Sequence, residues 1–533
     1  MTMKKNKWAI VTILAFAQFV MVLDSTVMNV SITTVVNDLK TSVSSMQLAI
    51  TFYTLTMAAL MLLGGKLGDI WGRKRTFVIG SIIYALGSLI TALSVNFTML
   101  FIGWSIVEGI GAIMVIPAIA SLTAANYTGQ DRIKAYAIIG GVTGGAAALG
   151  PLIGGYMTTY LSWRYVFASE VVIMFGVLLT SRIIADVKKS AVIAKVDILS
   201  FLYSATGLVL VVLGMLQSKS WGWVTPRAVP SIAGINIAPF GISIVSYFII
   251  SGSLILYAFY RRQEMLEATG GHPLFKVSLL KIPQLRSGLG VAFAQNLIIG
   301  SMFFILPIYL QMTLGYDALK TGLKILPLSA ALVLFSLLGA RLATAHTPKK
   351  IIRSGQVLLI GGVLILLAAV DIELKNAFFA IGMFIVGAGI GLLASQIGNV
   401  TMSAVTSKDT SEVGGVQGVA QNIGSSFGTA LIGSILVTVL TTTFISQVQA
   451  SSLQPQVKQY VQAQSKVGIA IVPVSQLQKY AASKGLSQNE VNEASEAYAS
   501  SQITALRESL FALAVISILA LALSRHIPDK IAE

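Results

Sequence analysis

The feature that most constrains this chain of 533 residues is a recurrence. Apolar runs of roughly 20 residues, long enough to cross a bilayer, return fourteen times between short polar breaks. They fall at 8–35, 46–68, 76–95, 97–125, 135–160, 163–185, 198–218, 241–260, 288–312, 321–345, 355–371, 377–405, 413–445 and 507–525. A single core in water cannot absorb that much apolar surface. Only 11% of the residues are charged and 55% are hydrophobic, where soluble domains carry about 25% charged residues. The solvent for such a chain is lipid, and the expected class is an all-α polytopic membrane protein with fourteen spans. A count of twelve stays open if 198–218 and 241–260 do not both cross.

The N-terminus reads Lys4, Lys5, Lys7 and then an apolar run from Trp8 to about Val35. That run is too long for the core of a cleaved signal and contains Asp24, so it is read as the first span. The net charge of +16 does not mark a nucleic-acid binder, because the basic residues form short clusters between apolar runs. Arg73-Lys74-Arg75, Lys188-Lys189, Arg261-Arg262 and Lys349-Lys350 are the main ones. Roughly two thirds of the Lys and Arg residues fall on the side of the N-terminus, which the positive-inside rule assigns to the cytoplasm. An even span count then puts both termini there, with the chain in the plasma (cytoplasmic, or inner) membrane.

There is no cysteine, hence no disulfide, thiolate metal site or Cys nucleophile. The three histidines, His272, His346 and His526, fall in expected loops or the tail. No metal, cofactor or catalytic residue is expected, and no glycine-rich phosphate loop ending in Lys-Ser/Thr is found. The segment 446–505 between the last two spans is rich in Gln, Ser, Ala and Val. Its apolar stretch Val467–Val474 is too short to cross, and Ser487 with Glu490 forms a capping-box pattern that predicts a helix running toward the last span. The segment is either a solvated hairpin or a cover on the outer mouth.

Three stretches carry a family resemblance. Gly65-Lys-Leu-Gly68-Asp69-Ile-Trp-Gly72-Arg73-Lys74-Arg75 resembles the loop motif between spans 2 and 3 of the major facilitator superfamily. In physical terms Gly65 and Gly68 permit close helix approach, Gly72 a tight turn, and Asp69 an ion pair or a helix cap. Ala146-Ala-Ala-Leu-Gly150-Pro151-Leu-Ile-Gly154-Gly155 resembles the span 5 signature of exporters in that superfamily. Ala146, Gly150 and Gly154 share one helix face, and Pro151 can kink the span. Leu23-Asp24-Ser-Thr26-Val-Met-Asn29 resembles the first span of the fourteen-span drug:proton antiporters. The resemblance implies the major facilitator fold, with two six-helix bundles, 1–190 and 263–533, and an extra transmembrane helix pair at 191–262; the loop 446–505 belongs to the second bundle. One departure matters. That family commonly carries an arginine in span 4, and here Ser105 stands at its place with Glu108 close by.

Asp24, Glu108 and Glu170 lie inside spans. A carboxylate at the centre of a membrane helix costs roughly 2.5–3.5 kcal/mol on insertion scales, so it faces protein or a water-filled cavity. Such an acid can hold a proton or a cationic solute, each excluding the other by charge, and these three are the candidates for proton and substrate coupling. Each also has an ordinary structural reading: Asp24 bonded to a neighbouring helix, Glu108 paired with a base, Glu170 solvated near the interface. Asn29, Gln295, Asn296, Phe303, Tyr309, Gln421 and Asn422 are candidates to line the solute path. The expected function is a proton-coupled secondary exporter of amphipathic or cationic small molecules working by alternating access. Its partners are then protons, solute and lipid, acting on a monomer. The alternatives are a selective transporter of a metabolite, lipid or peptide in either direction, a membrane sensor, or a membrane enzyme.

Overall fold

Lipid offers no hydrogen bonds, so a segment that enters it must satisfy its backbone internally, which a helix does alone. In a computed structural model of the chain, fourteen helices are long and apolar enough to cross a bilayer. They are span 1 (Trp8–Asp38), span 2 (Val43–Trp71), span 3 (Arg73–Ala92), span 4 (Phe97–Asn126), span 5 (Lys134–Tyr160), span 6 (Arg164–Ile183) and span 7 (Ile198–Trp221). Then follow span 8 (Ile244–Ala268), span 9 (Pro283–Thr313), span 10 (Ala318–Leu342), span 11 (Pro348–Ala369), span 12 (Ala377–Met402), span 13 (Glu412–Ala450) and span 14 (Gln488–His526). The structure describes residues 7–529 except 187–196, 228, 233–234, 237, 373, 375, 406–408 and 465–467. Lys4, Lys5, Lys188, Lys189, Val467 and the 190/191 boundary therefore lie outside the described residues. Both 198–218 and 241–260 form spans, so the twelve-span count does not hold.

Local chemistry sets the helix ends. Ser42, Asn96 and Asp317 accept from the backbone N–H three residues on, at 3.0, 2.9 and 2.7 Å. Gly72, at φ 97°, ends span 2 and starts span 3 within one residue, a conformation that a Cβ would strain. The basic clusters differ from the expected loops. Arg73–Arg75 and Lys349–Lys350 form first helical turns, and Arg261–Arg262 lie within span 8. Arg75, Arg261 and Lys350 are exposed, so their stems let the helix continue while the charge reaches water, whereas Arg73 is buried.

The helices pack in two sets with the same pattern. Span 1 packs on spans 5 and 6, span 3 on spans 4 and 6, and span 2 on span 4. Eight spans later, 9 packs on 13 and 14, 11 on 12 and 14, and 10 on 12. The sets meet where span 2 lies on span 13 and span 5 on span 10. Spans 7 and 8 pack on each other, and span 7 touches both span 2 and span 13. One face of the bundle carries both chain ends and is called terminal below; the other is called distal. On the distal face Trp163 donates to Asp38 at 3.0 Å, and Arg164 pairs with Asp38 while donating to the Ser94 carbonyl at 2.7 Å.

The capping box forms as its sequence predicts, with Ser487 N–H donating to the Glu490 carboxylate at 2.9 Å, and the helix it opens continues without a break as span 14. The preceding segment holds two short helices, Pro455–Gln464 and Val474–Ser483. Between them Ile471 is buried, Tyr498 donates to the Ala470 carbonyl at 2.7 Å, and Gln502 donates to the Val472 carbonyl at 3.0 Å. This stretch is thus pinned to span 14 rather than hanging free.

Asp197 anchors the terminal end of the inserted pair. Arg262 of span 8 donates to both of its oxygens, at 2.7 and 2.9 Å, which holds its carboxyl below the usual carboxylate range. A depressed carboxyl stabilises the fold above its unfolded value and loses that contribution as pH falls through the folded one. Asp197→Asn should therefore lower stability by about 1 kcal/mol at pH 7. The gap between parent and variant should persist above the unfolded carboxyl value and close as pH falls through the lower folded one, as the parent carboxyl protonates. Thermal unfolding in detergent across that range checks both; a gap independent of pH would show that the ion pair does not form.

Candidate functional site

Span 1 brings Asp24 to the middle of the first helix set, span 4 brings Glu108 and span 6 brings Glu170. All three are fully buried, and one oxygen from each lies within 4.8 Å of the others. The sequence separates them by up to 146 residues, and the fold makes them one cluster. Close crossings make this possible. A Cβ on Gly87 of span 3 would stand 2.6 Å from the Glu108 backbone nitrogen, and one on Gly111 of span 4 would stand 2.5 Å from the Tyr84 nitrogen. Span 4 reaches Glu108 through a π-helical stretch, Phe101–Glu108, a geometry that recurs at functional sites.

Aromatic and hydroxyl groups surround the acids. Trp104 donates its indole N–H to Asp24 Oδ1 at 2.8 Å and stacks on Tyr53, with ring centroids 5.0 Å apart. Ser88 donates to Glu170 Oε2 at 3.1 Å. Among the described residues no hydrogen bond of ordinary geometry reaches Asp24 Oδ2, either Glu108 oxygen or Glu170 Oε1, although the hydroxyls of Tyr53, Tyr84 and Ser88 lie beside the cluster. None of the acids forms an ion pair among the described residues. Two unit charges at that spacing repel by at least about 3 kcal/mol at an effective dielectric near 20. Three charges enclosed together at that spacing, with no base beside them among the described residues, would oppose one another strongly.

The simpler readings of the acids fare differently. Asp24 does bond a neighbouring helix, through Trp104, but only with one oxygen. Glu108 has no basic partner among the described residues, and Glu170 is enclosed rather than solvated. The span 4 arginine of the drug antiporters has no counterpart: Ser105 instead donates to the Ala49 carbonyl of span 2 at 2.8 Å.

The other candidates scatter. Asn29, Asn296 and Asn422 each return their amide to the carbonyl four residues back, at 2.8, 2.9 and 2.9 Å. Gln295 faces span 12, donating to the Ile390 carbonyl at 3.1 Å, and Tyr309 donates to the Asp371 carbonyl at 2.6 Å. Both are used inside the second helix set and do not join the acids. Phe303 packs beside Met302, Leu306 and Leu328, and Gln421 is half-buried on span 13.

In the motifs, Arg73 folds back to Asp69 at 2.5 Å and to the Gly65 carbonyl at 3.1 Å. Gly68 lies against the Arg73 side chain, while a Cβ on Gly65 would meet nothing within 4 Å. Gly65 thus departs from its expected role in close packing: the space a side chain would take there is open, and its carbonyl is held by Arg73. Gly150 and Gly154 do seat span 5 on span 1, against Thr26 and Val27, and Gly155 abuts the Ala318 carbonyl. The Pro151 carbonyl lies against Gly322 of span 10.

A profile of the Major Facilitator Superfamily matches residues 14–429. The chain belongs to the major facilitator superfamily. It is 27% identical over 437 residues to the probable actinorhodin transporter of Streptomyces coelicolor, covering 81% of this chain and 72% of that one. It is 29% identical over 435 residues to the puromycin resistance protein pur8 of Streptomyces alboniger, covering 80% and 81%. A bacterial homologue of the human lysosomal transporter Spinster, solved inward-facing and unoccupied, superposes with a TM-score of 0.60 at 14% identity, over 98% of both chains. The protein is a multi-pass membrane transporter of fourteen spans and not an enzyme.

Sequence reasoning found the acids but not their shell. Trp104 and Glu108 are four residues apart, as are Tyr84 and Ser88, so each pair shares a helix face. That spacing was the available signal. The crossing at Gly87 should be intolerant of bulk. Gly87→Ala is expected to cost about 1–3 kcal/mol, since backbone rather than a flexible side chain faces the new methyl. Gly65→Ala, with open space, should be close to neutral. Thermal unfolding of both variants checks this; equal transitions would mean that spans 3 and 4 do not cross at Glu108.

Proposed function

We propose that this transporter is a proton-coupled exporter exchanging protons for amphipathic or cationic small molecules by alternating access. The observation that carries the reading is the enclosed cluster of Asp24, Glu108 and Glu170, three carboxyls within 4.8 Å and without a basic partner among the described residues. Its negative charge is balanced by protons in one state and by a cationic solute in the other. Asp24 and Glu108 are the leading exchange groups, and Glu170, held by Ser88, is the third. The relatives named for antibiotic transport and resistance favour export of foreign or secreted compounds. The basic helix ends favour a cytoplasmic terminal face. The reading further takes the chain to act as a monomer in the plasma membrane.

The test is substrate-evoked proton movement in proteoliposomes, with a pH dye inside and a panel of lipophilic cations outside. Cations should drive proton flux through the parent. Asp24→Asn and Glu108→Gln should each lower it by about tenfold or more while the proteins stay folded. Asparagine keeps the acceptor for Trp104, so a loss there reports charge rather than packing. A folded parent that moves no protons with any cation would end the drug:proton reading. Saturable uptake of a single metabolite, lipid or peptide in the same vesicles would replace it.

A further inference from the structure

The hydrogen bonds that tie the two helix sets fall toward the distal face, and one side chain stands at their hub. Gln47 of span 2 is fully buried and uses both ends of its amide. Its Nε2 donates across the bundle to the Thr429 carbonyl of span 13 at 2.9 Å and to that of Ala430 at 3.3 Å. Its Oε1 accepts from Lys219 Nζ at 3.0 Å, and Lys219 lies at the distal end of span 7, in the inserted pair. Gly433 of span 13 clears the space, since a Cβ there would stand 2.3 Å from Gln47 Nε2. Span 7 also accepts from span 13, through Ser434 donating to the Met215 carbonyl at 2.8 Å. A second glutamine, Gln311 of span 9, donates to the Val30 carbonyl of span 1 at 2.9 Å and accepts from Thr33 N–H at 3.3 Å.

We propose that Gln47 is the latch holding the distal side closed, and that Lys219 of the inserted helix pair is its lock. Thr429 and Ala430 sit within span 13, so their carbonyls already serve that helix, and releasing Gln47 breaks no helix. In the closed state Gln47 is out of water and needs its bonds; when the distal side opens, water satisfies it instead. Two hydrated or bonded states separated by a few bonds make a bistable element. Lys219 adds direction. An ammonium only donates, so it faces the amide oxygen and leaves Nε2 aimed at span 13. The extra helix pair thus biases which way the transporter opens. This holds whatever solute or ion the acid cluster exchanges.

The experiment is a distance measurement between the helix sets. The chain has no cysteine, so spin labels can be placed at Val95→Cys and Ile372→Cys, exposed distal positions on the first and second sets. In the full-length protein in lipid nanodiscs the parent should show mainly the short distance. Gln47→Ala and Lys219→Met should each raise the ratio of long to short about tenfold, and Lys219→Arg should keep the parent distribution. Gln47→Glu keeps a partner for Lys219 but loses the donor to span 13, so it should open as Gln47→Ala does. Helix content and a single elution peak exclude misfolding as the cause. If Gln47→Ala opens the distal side and Lys219→Met does not, the lock is refuted. If neither changes the ratio, there is no latch at Gln47.

Discussion

Helices in lipid gain little by hiding apolar side chains from one another, because the lipid is as apolar as they are. What holds these fourteen together is close backbone approach, and glycine supplies it in a repeated pattern. Gly150 and Gly154 seat span 5 on span 1; Gly424 and Gly428 seat span 13 on span 9, against the Phe293 and Leu297 carbonyls. Gly80 and Gly87 seat span 3 on span 4; Gly355 and Gly362 seat span 11 on span 12. The spacings match, four residues in one pair of helices and seven in the other, so the two helix sets share a packing scheme and not only a helix count. A crossing pushed apart forfeits dispersion attraction, and in lipid no hydrophobic gain makes up for it.

The same crossings decide where charge can sit. Three acids meet in the first set because span 3, with no side chain at Gly87, lets the backbone of span 4 come in at Glu108, and Ser88 next along span 3 then reaches Glu170. The second set has no counterpart cluster among the described residues. Its interior is spanned by neutral amides, Gln295 to the Ile390 carbonyl and Gln356 to the Ala520 carbonyl at 2.9 Å. A neutral set and an acidic set therefore stand on a common packing plan, with the buried charge confined to the first.

Span number and the individual acids could be read from the chain because both are properties of single segments: an apolar run of sufficient length, and a carboxyl inside it. The capping box at Ser487 was equally local. What could not be read was which acids share a site, since that depends on the angle at which spans 1, 4 and 6 converge. Gln295 and Tyr309 show a further limit. A polar residue in a span signals an interior face, but not which one: their bonds lead into their own helix set rather than to the acids. Gly65 shows that a motif glycine need not pack: the space a Cβ would take there is open, and it is Gly68 that the Arg73 side chain lies against. The latch was invisible for another reason. Nothing in the spacing of Gln47, Lys219 and Thr429 relates them until spans 2, 7 and 13 are brought side by side.

The elements that present the acids are also those that close the distal side. Span 1 carries Asp24 and, further along the same helix, the Val30 carbonyl that Gln311 holds. Span 4 carries Glu108 and Ser105, and Ser105 bonds span 2 at Ala49, two residues from Gln47. A change of charge in the cluster alters the repulsion between spans 1, 4 and 6 by several kcal/mol at such spacings. Spans 1 and 4 cannot respond without loading the bonds at Val30 and Ala49. A buried amide bond is worth about 1 kcal/mol, so the electrostatic force is large enough to release either glutamine. The acids thus stand one helix away from the glutamine joints, close enough for the latch proposed above to feel a change in their charge.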